Sequence, residues 1–554
     1  MGNVVSTHMS TPNLLGGLFL LYILYKIATT IQTNTKIRKL GARAPVRKSY
    51  APWGLDIAYE VIGYALKDKT YDAWVQMFEK WAGPGRYTIE AGVGERVILT
   101  AEPENIKAIL ATQFKDYGKG EQFRKDWHDF LGNGIFTTDS TLWHNSRQLI
   151  RPQFIKDRVS DLEIFEEHTQ VLISKLSGGQ TIDTLDMMMR YTLDAATHFL
   201  LGASVDSLDQ PQTRFADAFY NAQRVQSIIA KVGPLNWAVP RKRMGFYDSV
   251  KIIDEFVDMY IERALALSPE ELSEKNNHES GYNFLHAIAG YTRDRKMLRD
   301  QLVSVLLAGR DTTACTLTWT LYHLSLSPTI TAKLRSEIIS AVGLHEQPTY
   351  QHLKDMKYLQ HVIDETLRLY PVVPYNVRLA LKDTTLPTGG GPNQDQPIGI
   401  LEGTPIGYST LVMQRRPDIY PSPSTGFADP AHFVPERWDS WTPKPWTYIP
   451  FNGGPRLCVG QQFANVEMAF TLVRLLQRFS SIENLMNGED PGLHSDIVLQ
   501  PAKEVKLRKG LATKRQKKAQ SIRKTQAKGA MLLNTPLEIR NMIYSKLGPL
   551  FVET

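Results

Sequence analysis

At 554 residues the chain exceeds an ordinary domain of about 100–200 residues, so it is either one very large domain or several. With 42% hydrophobic and 22% charged residues it is globular, and its two cysteines, Cys315 and Cys458, exclude a disulfide framework or a four-cysteine zinc site and fit a reducing compartment. The net charge of +7 does not imply a nucleic-acid surface: from Val505 to Thr554 twelve Lys and Arg face two acids, and the remainder of the chain is slightly acidic.

In chain order, the first element is the apolar stretch "LLGGLFLLYILYKIATTI", Leu14 to Ile31, broken only by Lys26. It meets the span of ~17–25 residues that a bilayer helix needs. Lys36, Arg38, Lys39, Arg43, Arg47 and Lys48 follow it with no acid among them, and no Lys or Arg precedes it. This asymmetry predicts a single-pass anchor over residues 1–35, with Met1 in the lumen of the endoplasmic reticulum and the rest of the chain cytosolic. A cleaved signal peptide would want a basic n-region and a small-residue cleavage site, which are missing. Gly2 and Ser6 also match a myristoylation pattern, which competes with a luminal N-terminus.

Residues 36–54 are basic and contain Pro45 and Pro52, a stiff hinge. "YTIEAGVGERVILTAEPENIKAIL" then predicts a β-hairpin and a helix opening at Pro103. Residues 141–370 have a helical period, the segment from Val372 to Gly407 is β-rich around "PTGGGPNQDQP", and a last helix is predicted over about 461–479. The fold class expected is mainly α: one large helical domain over 55–509 with small peripheral β-sheets. Residues 510–554 form a basic tail with a short amphipathic stretch at Leu532–Leu547, expected to be otherwise disordered and, as a whole, a dispensable appendage.

Five windows carry chemistry. "WHNSR" places Trp143 and Arg147 one helical turn apart, an indole donor beside a guanidinium, suited to a carboxylate. "LLAGRDTTACTLTW" sets Asp311 and Thr312 in the middle of a long apolar helix, after the small residues Ala308 and Gly309. A buried acid needs partners, and Thr hydroxyls can bond to the carbonyl four residues back and open room for water, as proton delivery requires. "ETLRLYP" allows Glu365 and Arg368 to pair, and Arg437 in "FVPERW" can complete a three-way network. In "FNGGPRLCVG", Cys458 stands just before a helix whose free N–H groups favour a thiolate, with Arg456 available for a second carboxylate and Phe451 able to shield the sulfur. Gly453, Gly454 and Gly460 are read there as turn residues.

Together these windows resemble the cytochrome P450 family of haem-thiolate monooxygenases, over about residues 50–509. The F-x-x-G-x-R-x-C-x-G pattern is met at Phe451, Gly454, Arg456, Cys458 and Gly460. The A-G-x-D-T-T pattern is met at Ala308, Gly309, Asp311, Thr312 and Thr313, E-x-x-R at Glu365 and Arg368, and W-x-x-x-R at Trp143 and Arg147. The resemblance implies a haem b whose iron is ligated by Cys458. It assigns the propionates to Trp143, Arg147, Arg456 and Arg378, proton delivery to Asp311 and Thr312, and support of the fold to Glu365, Arg368 and Arg437. Electrons would come from NADPH through a separate reductase, with cytochrome b5 as a second donor, because nothing in the chain resembles a flavin domain.

"LPTGGGP" and "YSTLVMQRRPDIY" are similar to the microsomal alkane and fatty-acid hydroxylases of fungi, which implies hydroxylation of an apolar chain at or near its terminus. One departure is His144 and Asn145, where that subgroup leads one to expect a basic residue and a histidine. Substrate contacts are expected from Gln122–Ile135, Val303–Leu307, Pro374–Val377 and Ile497–Pro501. Two alternatives stand beside this reading: tailoring of a polyketide or terpenoid, and a haem-binding or interaction protein without turnover.

Overall fold

The computed structural model describes residues 11–154, 162–210, 214–277, 283–421 and 423–511. Ten helices matter for the site: α1 (Thr11–Leu40), α2 (Leu55–Ala65), α3 (Glu121–Leu131), α4 (Ser140–Ile150), α5 (Glu163–Leu176), α6 (Thr184–Leu201), α7 (Arg214–Val232), α8 (Arg295–Leu326), α9 (Lys357–Leu369) and α10 (Gln461–Arg478). α8 is buried around most of its circumference, with Asp300, Gln301, Arg310 and Asp311 among its apolar residues, as the central element of a large helical core. It starts where the Asp294 carboxylate accepts the N–H groups of Lys296 and Met297, at 2.9 and 3.2 Å. α6, α9 and α10 pack around it. α6 is capped by Asp183 and closes at Gly202, whose φ of 74° is the left-handed geometry that favours glycine.

Beside this core lies a six-stranded sheet built from β1 (Val46–Arg47), β2 (Thr88–Val93), β3 (Glu95–Thr100), β4 (Tyr117–Gly118), β5 (Tyr375–Ala380) and β6 (Pro405–Ser409). Its order is β1-β2-β3-β6-β5-β4. β2 and β3 are the hairpin expected from the sequence, paired from Thr88↔Thr100 to Val93↔Glu95. The parallel β3–β6 pair and the antiparallel β6–β5 pair carry chain from residues 375–409 next to the hairpin. A second core lies under this sheet, formed by Ile89, Ile98, Ile406 and Tyr408 among others. The strand Lys506–Leu511 pairs with Phe479–Asn484 and extends order to Leu511, so the expected tail falls almost wholly outside the described residues, as do Gly2 and Ser6.

α1 is continuous past residue 35, into the segment read as a hinge. Its end is seated on the domain: Ile37 is buried, and Ala42 donates its N–H to the Pro397 carbonyl at 2.8 Å. Leu15, Leu21, Tyr25 and Ile31 are exposed along it. Counted over the described residues, no helix is long and apolar enough to cross a membrane. The expected transmembrane helix is therefore a helix here without being an established span. Lys26 interrupts its apolar run, and from Gln32 to Lys39 it turns polar and basic.

Candidate active site

The cysteine loop is held by backbone geometry. Cys458 donates its N–H to the Phe451 carbonyl at 3.0 Å, which folds residues 451–458 back on themselves. Gly454 has φ of +64°, and a Cβ there would stand 2.0 Å from the Leu110 carbonyl oxygen, so only glycine fits. Gly453 is extended and is excluded from bearing a side chain by the Trp446 ring instead, at 2.6 Å. Gly460 has φ of −90°, and a Cβ there would meet only the Phe154 ring at an ordinary 3.9 Å, so the turn argument does not apply to it; it serves as the residue before α10.

The Cys458 thiol is accessible to solvent, yet protein surrounds it closely enough that burial raises its pKa. The backbone N–H of Gly460 and the Arg147 guanidinium oppose that rise by favouring the thiolate. Cys315 is different: it is fully buried with Val372 and Val498, and burial pushes its pKa far above the usual thiol range. Of the two cysteines, only Cys458 presents sulfur to a ligand.

A group of cations gathers around this loop. Arg147 on α4 donates to the Leu457 carbonyl at 2.8 Å and lies 5.9 Å from the Trp143 ring. Arg456 lies 4.7 Å from the same ring and pairs with Asp139 at 2.6 Å. Arg378 on β5 is buried and donates to Asn376 Oδ1 at 2.8 Å, and Lys119 donates to the same oxygen at 3.2 Å. Desolvation, then the neighbouring Arg378, lowers the Arg456 pKa to about 10, and desolvation with Arg378 and Arg456 lowers that of Lys119 well below its ordinary value. These four cations have one carboxylate among them, Asp139, which pairs with Arg456, so the group is short of negative charge. The buried Nε of Arg456 also has no protein acceptor.

Glu365 and Arg368 form a bidentate pair at 2.8 and 2.8 Å, both fully buried. Glu365 also accepts the Val434 N–H and the Trp438 indole N–H, each at 3.0 Å, and Arg437 Nε stands 3.5 Å away. Arg368 donates to the carbonyls of Gln414, Pro430 and His432. Gln414 joins this network to the approach of the cysteine loop: it accepts the Ile449 N–H at 2.9 Å and donates to the Leu367 and Arg368 carbonyls.

On α8, Thr312 donates its hydroxyl to the Ala308 carbonyl at 2.7 Å. Val305, Ala308 and Thr312 lie along one stripe of the helix and are only half-buried, so this mid-helix face borders open space. Asp311 does not pair with Thr312. It accepts the Gln223 amide from α7 at 2.7 Å and lies 3.3 Å from Arg310, while burial raises its pKa. The next residue, Thr313, faces Glu467 on α10, a fully buried acid whose pKa desolvation pushes up to about 8 and the Thr313 side chain lowers. Thus α8 is tied to the helix that leaves Cys458.

Lys119, Asp139, Gln223, Gln414 and Glu467 were not found from the sequence. Each lies far along the chain from its partner, and although Gln414 falls within the quoted "YSTLVMQRRPDIY", nothing in that window points to its partner. Of the expected substrate-contact stretches, Val303, Leu306 and Leu307 are buried on α8, whereas Val377 on β5 is exposed and Ile497 is partly buried against Val372 and Val498. His144 and Asn145 are exposed on α4.

The donor set fits haem: an accessible thiol within the protein, cations for two carboxylates, and a bordering helix stripe of small and apolar residues. The family model described as Cytochrome P450 matches residues 58–508. The chain is 46% identical to Cytochrome P450 monooxygenase pvhE of Talaromyces variabilis over 520 residues, covering 90% of this chain and 96% of that one. It is 39% identical to Cytochrome P450 52E1 of Candida apicola over 489 residues, 84% and 89% of the two chains. It is 43% identical to Cytochrome P450 52A1 of Candida tropicalis over 425 residues, 72% and 75% of the two.

Proposed function

Because the chain belongs to the cytochrome P450 family, we propose that Cys458 is the thiolate that holds its haem and that the substrate is a long-chain fatty acid or alkane, hydroxylated at or near its end. The protein is a P450 monooxygenase, of a family that uses haem on a cysteine thiolate and electrons passed from NADPH by a reductase. When bound, the haem supplies the oxidising chemistry that inserts one atom of O2 into a C–H bond.

The chain's own residues have four tasks in this reading. Cys458 presents its sulfur from a loop fixed by Gly454, with the Gly460 N–H and Arg147 favouring the charged form and Phe451 alongside. Trp143, Arg147, Arg378 and Arg456, joined by Lys119, hold the two propionates, and Asp139 aligns Arg456 and the backbone of Lys119 and Gly120. Asp311 and Thr312 hold and pass protons, Asp311 from its contact with Gln223 and Thr312 from its accessible face. Glu365, Arg368 and Arg437 fix the chain before the cysteine loop, through Gln414.

The apolar substrate is supported by exposed Phe136, Val373, Val377 and Leu457, whose neighbours in sequence belong to the site. A membrane location is supported by a second patch: Tyr50, Trp53, Tyr59 and Leu66 on and near α2, 71–86% exposed, together with the apolar residues of α1. We place the domain on the cytosolic side of the endoplasmic reticulum membrane, held there by α1, with a reductase and cytochrome b5 as electron donors.

The observation that carries this reading is the Cys458 thiol, reachable within a surrounding shell that bears the cation group. The test is turnover of the full chain with a fungal NADPH reductase under labelled O2, with products identified by mass spectrometry. One labelled atom at or next to the terminus of a long-chain acid or alkane is expected. Products formed only from terpenoid or polyketide skeletons would move the chain to a tailoring role, and haem binding without product would remove the enzymatic reading.

A further inference from the structure

Away from the haem residues, two histidines meet between neighbouring helices. His168 on α5 is buried and His198, in the last turn of α6, is about a quarter exposed. Their Nε2 and Nδ1 atoms stand 3.1 Å apart, with the rings nearly perpendicular at 81°. Glu167, next to His168 and exposed, brings Oε2 to 3.8 Å from the same His198 nitrogen, and one ligand atom from each residue lies within 4.8 Å of the other two. We propose that Glu167, His168 and His198 bind a divalent transition-metal ion of the zinc type, bridging α5 and α6.

The distances suit that ion. With metal–nitrogen bonds of about 2.0–2.1 Å, two nitrogens 3.1 Å apart subtend roughly 100° at the metal, close to tetrahedral. The contact is otherwise a single hydrogen bond, one ring donating and the other accepting, and a metal in place of that proton needs each ring to turn so that both nitrogen lone pairs converge beside the N–N line. Glu167 is on the solvent side and has room to swing in and close the shorter bond, leaving a fourth position for water. Two imidazoles and one carboxylate suit zinc, and do not suit magnesium or calcium, which prefer all-oxygen sites.

The site is joined mechanically to the haem region. Thr169, beside His168, donates to the Tyr191 hydroxyl on α6 at 3.2 Å, and that hydroxyl bonds Thr471 on α10 at 2.8 Å. A metal at this place would clasp α5 to α6 on the side that supports the helix leaving Cys458.

The experiment titrates the haem-loaded full chain, freed of metal with a chelator, with zinc chloride against a chromophoric competitor. One equivalent is expected to bind, with a rise in the urea midpoint and no change in the haem spectrum. His198→Gln should weaken binding about tenfold or more, and Glu167→Gln should weaken it measurably while leaving the fold and the haem content intact. Equal zinc affinity in the native chain and in Glu167→Gln, or in His198→Gln wherever that variant folds, would overturn the proposal.

Discussion

Lys119→Met separates the two states of the site by the sign of its effect. In the haem-loaded protein Lys119 is one of four cations placed for two carboxylates, so the variant loses a charge-assisted hydrogen bond of about 1.5–3 kcal/mol. Haem should leave about 10–150 times faster, since each 1.4 kcal/mol is tenfold. In the haem-free protein the same ammonium is buried beside Arg378 and Arg456, with desolvation and both arginines working against its charge. Methionine fills the same volume over the Phe123 ring, where Nζ now lies 4.4 Å from the centroid, and gives up that cation–π contact, the 3.2 Å contact to Asn376 and the attraction of Asp139, against the relief of the desolvated repulsion. Stability without haem should therefore hold or rise by about 1 kcal/mol, the scale of one relieved buried repulsion. Haem transfer to apomyoglobin measures the first effect and urea unfolding of the haem-free chain the second. Unchanged haem loss, or a large destabilisation without haem, would refute the argument that the cations are short of an anion.

Three further outcomes follow from the same geometry. Glu365→Gln leaves Arg368 and Arg437 buried without their carboxylate and should cost about 3–5 kcal/mol, read as a lower urea midpoint and poor haem loading; a loss under 1 kcal/mol would contradict the network. Asp311→Asn keeps the side chain's size but removes its proton, and should lower kcat by about 10²–10⁴ with haem content unchanged; unaltered turnover would remove Asp311 from proton delivery. Glu467 stays protonated in the folded chain up to about pH 8, whereas unfolded it ionises near pH 4.3. The folded state then binds the extra proton across that window, so native stability should fall as pH rises from about 4 to 8, by a few kcal/mol. Glu467→Gln should flatten that slope and be the more stable form at pH 8, measured by urea melts at several pH values.

The sequence was informative where chemistry is written in short spacings. Trp143 with Arg147, Glu365 with Arg368, and Phe451 with Cys458 each sit within one or two turns of chain, so their contacts follow from local geometry. The back-bond from Thr312 to Ala308 was legible for the same reason. What it hid was contact across the fold. Asp139 meets Arg456 from the start of α4, and Gln223 reaches Asp311 from α7, pairings that no local period encodes. Asp311 beside Thr312 suggested an acid–alcohol pair, but successive positions on a helix point about 100° apart, and the acid turned to Gln223 and Arg310 instead. The role of each glycine in the cysteine loop was also hidden, because φ and the neighbouring atoms decide it: Gly454 is required by both, and Gly460 by neither.

The central claim is that Cys458, and not Cys315, holds the haem iron. The carbon-monoxide difference spectrum of the reduced protein tests it on three forms of the chain. The native protein and Cys315→Ser should both give the signal of a thiolate-ligated carbonyl complex, because Cys315 is buried among Val372 and Val498, and Cys458→Ser should lose it. A Cys458→Ser protein that keeps the signal, or a well-folded Cys315→Ser protein that loses it, would contradict the account.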